Sequence, residues 1–88
     1  ADAAREARTT YAALLRERPD DGVARLRHAD ACLDDGDATA AARGYRDVLA
    51  GRPDDASAWA GLVRALVAAG EARAALEGLE AAPPASRG

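Results

Sequence analysis

The chain has no Phe, Ile, Met, Lys, Asn or Gln, and it holds one Trp, one His and one Cys. A single cysteine excludes an internal disulfide framework and a cysteine-built zinc module. No apolar run approaches the ~18 residues that a membrane span needs. Basic residues are not in surplus: 12 arginines stand against 15 acids, a net charge of −3 spread along the chain. That balance argues against the positive footprint of a nucleic-acid binder. Lys, Asn, Ile, Phe and Met share AT-rich codons, so their joint absence points to a high-GC bacterial genome. The sequence also starts without Met, and we expect a domain excised from a larger bacterial protein, cytoplasmic in location. A secretory signal on that parent would not be visible here.

What is present is mostly alanine. Twenty-six of the 88 residues are Ala, and Leu, Val, Tyr, Trp and Cys add only 17 to the apolar total. A chain of this length makes one small domain.

An internal repeat orders this composition. Arg18-Pro19-Asp20-Asp21 returns as Arg52-Pro53-Asp54-Asp55, 34 residues on, and Tyr11 and Tyr45, Gly36 and Gly70, and Ala41 and Ala75 keep the same offset. Each period divides into two short helices. Pro19 and Pro53 end helices, because proline cannot donate into the ladder and restricts the residue before it. The aspartates that follow can accept from the free N–H groups of the next helix. Gly36 and Gly70 break each period in the middle. These signals predict helices over 3–17, 22–35, 38–50, 56–69 and 72–81. Strand alternation is missing, so the fold class is all-α.

A 34-residue helix–turn–helix period with Trp59, Leu62, Gly70, Ala75 and Leu79 in phase resembles the tetratricopeptide repeat. In the preceding period Gly36, Ala41, Tyr45 and Pro53 match in order, and Ala7, Tyr11 and Pro19 match in the first segment. The resemblance implies a short right-handed solenoid of about two and a half repeats and five helices. Residues 1–21 form a half repeat, 22–55 and 56–82 form repeats, and 83–88 form a disordered tail or linker. Arg25 stands where the family has an aromatic residue and His28 where it has leucine. By the same resemblance Trp59 is a core wedge, whose change to Ala is expected to be the most damaging single substitution.

The family binds peptides on the concave face lined by the first helices of its repeats. By phase, the matching residues are Val23, Leu26, Asp30, Leu33, Asp34, Ser57, Ala60, Arg64, Val67 and Ala68. This set suits an apolar segment carrying a basic group. A clamp for chaperone C-terminal carboxylates is not expected, because Lys and Asn are absent and the corresponding sites hold Val23, Leu26 and Asp30. Expected partners are a protein or peptide, including another domain of the parent chain. Packing in cis as a structural appendage is the alternative, as is homo-oligomerisation through uncapped ends. Nucleic acid and membrane are not expected partners.

Chemistry has few footholds. His28 and Cys32 lie one helical turn apart, yet two ligands do not make a closed zinc site. Asp34-Asp35-Gly36-Asp37 lacks the spacing of a calcium loop and reads as a capped turn. The two serines, Ser57 and Ser86, have no cue for a base partner. No catalytic residue, metal site or cofactor is assigned.

Overall fold

The computed structural model describes residues 2–81. The expected tail at 83–88 lies outside them. Five helices follow one another: α1 (Asp2–Glu17), α2 (Gly22–Asp34), α3 (Ala38–Gly51), α4 (Ala56–Ala68) and α5 (Ala72–Ala81). Their ends differ from the sequence expectation by no more than one residue, the usual uncertainty of a helix boundary.

The local signals act as their chemistry requires. The Asp21, Asp37 and Asp55 side chains accept from the backbone N–H of Ala24, Ala40 and Ala58 at 3.0–3.1 Å. Each thereby satisfies a donor that the first helical turn leaves free. Gly36 and Gly70 take φ of +86° and +80°, values that only glycine adopts without strain. Around Gly36, its own N–H reaches the Leu33 carbonyl and that of Asp37 reaches Cys32. Gly70 and Glu71 repeat the pattern on Val67 and Leu66. Both turns are therefore Schellman closures, and each chain reversal is locally encoded.

The helices pack chiefly on their neighbours in sequence, with a smaller contact between α2 and α4. Tyr45 stands in the middle of the core, fully buried among Ala29, Cys32, Ala41, Leu62, Ala65 and Leu66. Small residues let the backbones approach. A Cβ on Gly44 would lie 2.9 Å from the Cβ of Ala29, and one on Gly61 would lie 2.3 Å from the Tyr45 ring. The alanine-rich composition thus serves close helix contact rather than bulk filling.

Trp59 departs from expectation. It is half-buried and packs against the edge of the core, while its indole N–H donates to the Pro53 carbonyl at 2.7 Å. Among the described residues, Tyr45, Leu66 and Cys32 are the largest fully buried side chains. The wedge is therefore Tyr45, because the α2, α3 and α4 contacts converge on it and Trp59 stands at the start of α4, where its polar edge reaches the preceding turn. Arg25, in the register of Trp59, donates likewise to the Pro19 carbonyl. The replacement of an aromatic by arginine keeps the N–H donor and its target.

Candidate functional site on α2 and α4

Helix α2 presents Asp30, Leu33 and Asp34 at three- and four-residue spacing, which puts them on one face. Helix α4 brings Arg64 to the same place. These four residues and Tyr45 line a cavity of about 230 Å³. The two acids, one arginine and one leucine expected from the sequence thus share one recess.

The other expected residues are not in that recess. Val23 and Val67 are largely exposed, at 58% and 60%. Ser57, Ala60 and Ala68 are exposed or only partly covered, whereas Leu26 packs against the core. Leu33 both packs on the core and lines the recess.

Sequence reasoning misses Tyr45 as a functional wall. In the sequence it stands only as a repeat marker, and no local signal pairs it with Asp30, since the two meet only when α3 packs on α2. The Tyr45 hydroxyl donates to the Asp30 carboxylate. Burial, and then this hydrogen bond, push the phenol well above its usual range, so it stays protonated and remains a donor. Arg27 lies 3.8 Å from the other Asp30 oxygen. Asp30 is thereby held in place, and Asp34 stands beside it. The lining carries two carboxylates and one guanidinium, that of Arg64, while Arg27 pairs with Asp30 from outside the recess.

A second electrostatic feature is also missed. Arg8 on α1 binds both Asp35, at 3.3 Å, and Asp37, at 2.8 Å. It ties the first helix to the α2–α3 turn. The Ala40 N–H, and then Arg8, hold the Asp37 carboxyl below its usual value. The acid-rich segment 34–37 is accordingly a capped and cross-braced turn.

His28 and Cys32 are brought together, with Sγ 3.9–4.0 Å from the ring nitrogens. Burial lowers the His28 pKa and raises that of Cys32. Both groups are therefore held neutral, and a thiol kept from ionising is a poor metal ligand and nucleophile. Among the described residues no group of three or more His, Cys, Asp or Glu could hold a metal ion. Ser57 is exposed at the start of α4, and Ser86 lies outside the described residues. No described helix is long and apolar enough to cross a membrane.

Comparison with known families agrees with this architecture. A tetratricopeptide repeat model matches residues 33–88. The chain belongs to the tetratricopeptide repeat family. The matched span begins in the last turn of α2 and takes in the Gly36 turn, α3, α4 and α5. Residues before it enter the same pattern through the internal offset of 34. Searches of curated proteins and of solved structures found no match. Tetratricopeptide repeats mediate protein–protein interaction and are typically non-catalytic.

Proposed function

We propose that this domain is an interaction module that holds a peptide segment on the α2–α4 face and reads a basic side chain there. The observation behind this reading is the recess formed by Asp30, Leu33, Asp34, Tyr45 and Arg64. Its two carboxylates outnumber its one guanidinium, and Leu33 supplies apolar contact beside them. An arginine or lysine entering the recess would meet Asp34 directly, with Asp30 fixed behind it by Tyr45. Exposed Val23 and Val67 extend the apolar surface along α2 and α4 for flanking residues of the peptide. Charge complementarity of this kind sets specificity and register more than affinity.

Selection of a displayed peptide library on the domain tests this reading. The enriched peptides are expected to carry Arg or Lys beside apolar residues. Val23→Asp and Asp34→Arg should each weaken the selected peptides at least tenfold, with helical content unchanged by circular dichroism. Enriched peptides without a basic residue, or binding by both variants undiminished from that of the unaltered domain, would remove the proposal.

A further inference from the structure

Asp30 and Arg64 hold one register in successive repeats, 34 residues apart, and carry opposite charge. Both line the recess between α2 and α4, yet they do not pair with each other. Among the described residues the ion pairs are those of Arg8 with Asp35 and Asp37, and of Arg27 with Asp30. Asp30 is already engaged: one carboxylate oxygen takes the Tyr45 hydroxyl, and the other faces Arg27 at 3.8 Å. Arg27 reaches it from outside the recess, on the side of α2 that faces α1. It offsets the charge of Asp30 without entering.

The charges left over in the recess are one of each sign. Asp34 on α2 and Arg64 on α4 are both exposed, and neither belongs to any of the described ion pairs. Helix α3 contributes only Tyr45 to the lining, a phenol held uncharged by burial and by Asp30. The recess therefore offers one acid and one base, fixed on different helices and unpaired with each other. An occupant that displaces water from between them strengthens the interaction of each with its own counter-charge.

We propose that the peptide held here is read at two charged side chains: a basic residue on Asp34 and an acidic residue, Asp or Glu, on Arg64. This rests on the recess being a peptide site, and it adds the second charge. The two peptide side chains must share one face of the segment. Their spacing is then two residues in an extended peptide and three or four in a helical one. The base lies toward α2 and the acid toward α4, so the segment crosses from one repeat to the next. A polybasic segment is disfavoured, because its second cation would meet Arg64.

Peptides enriched by the domain from a displayed random library, resynthesised with a fluorescein label and an amidated C-terminus, test the proposal by anisotropy against the whole chain. The amide removes the terminal carboxylate, so the acid that is read must be a side chain. The enriched sequences are expected to carry Asp or Glu at a fixed spacing of two to four residues from Arg or Lys. Exchanging that acid for its amide, or making Arg64→Glu in the domain, should each weaken binding about tenfold. Arg64→Glu with a peptide whose acid is replaced by Arg should recover it to within about threefold. Arg46→Glu makes the same change in net charge at an exposed position of α3 outside the recess, and should leave binding unchanged. Enriched peptides that keep a basic residue but no acid at fixed spacing overturn the second contact and leave the first standing. So does binding indifferent to Arg64→Glu, or a loss that the reversed peptide does not recover. Enriched peptides without a basic residue remove both contacts.

Discussion

The ring of Tyr45 rests on the backbone of Gly61, so closely that a Cβ at 61 would lie 2.3 Å from Cε1 and Cζ. Tyr45 has no room to retreat, being fully buried with its hydroxyl bound to Asp30. The contact joins α3 to α4 and, through Asp30, to α2.

Gly61→Ala should therefore destabilise the domain. Overpacking of a tight core costs ~1–3 kcal/mol, against a helix-propensity gain of up to ~1 kcal/mol. At Gly51, the end of α3, an added Cβ would meet nothing within 4 Å. Gly51→Ala should accordingly stabilise by several tenths of a kcal/mol. Urea denaturation of the two variants should show midpoints moving in opposite directions. Movement in the same direction would contradict the contact.

Tyr45→Ala should be more damaging than Trp59→Ala. Truncating a fully buried aromatic costs ~3–5 kcal/mol, whereas the half-buried indole and its bond to Pro53 account for ~1–2 kcal/mol. Tyr45→Phe keeps the ring and should cost about 1 kcal/mol, the worth of the hydroxyl bond. Thermal melts of the three variants should rank Tyr45→Ala lowest. Trp59→Ala falling below it would restore the tryptophan to the centre of the core.

Stability should decline on mild acidification because of His28. Burial, with a smaller contribution from Arg8, puts its folded pKa below the ordinary value. The folded state thus binds fewer protons than the unfolded state between the two values. The contribution is complete above the unfolded pKa of about 6.5 and is lost as pH falls through the folded one. His28 is the only histidine, so His28→Gln should flatten the change in urea midpoint between pH 7 and pH 5. A slope unchanged by that substitution would place its origin elsewhere.

Much of the fold is legible in the sequence because its signals are short-range. Pro19 and Pro53 follow helix ends within two residues, Gly36 and Gly70 close Schellman turns, and Asp21 and Asp55 cap the next helix three residues on. The 34-residue phase puts Asp30, Leu33, Asp34 and Arg64 on one face, and they do share a recess. The same phase cannot separate Val23 and Val67, which stand in the open, from those four. Phase assigns a side of a helix, not a depth.

Alanine abundance, repeat length and helix ends were properties of the sequence by itself, since each depends on residues within a turn or on a pattern counted along the chain. Only the tertiary structure decided which aromatic carries the core, why Arg25 can stand in Trp59's register, and that Arg8 braces a turn 27 and 29 residues away. It also decided that Tyr11 and Tyr45, identical in register, are one open and one buried. The reason is physical: burial depends on what the neighbouring helix contributes across the interface. A glycine at 61 admits the Tyr45 ring against α4.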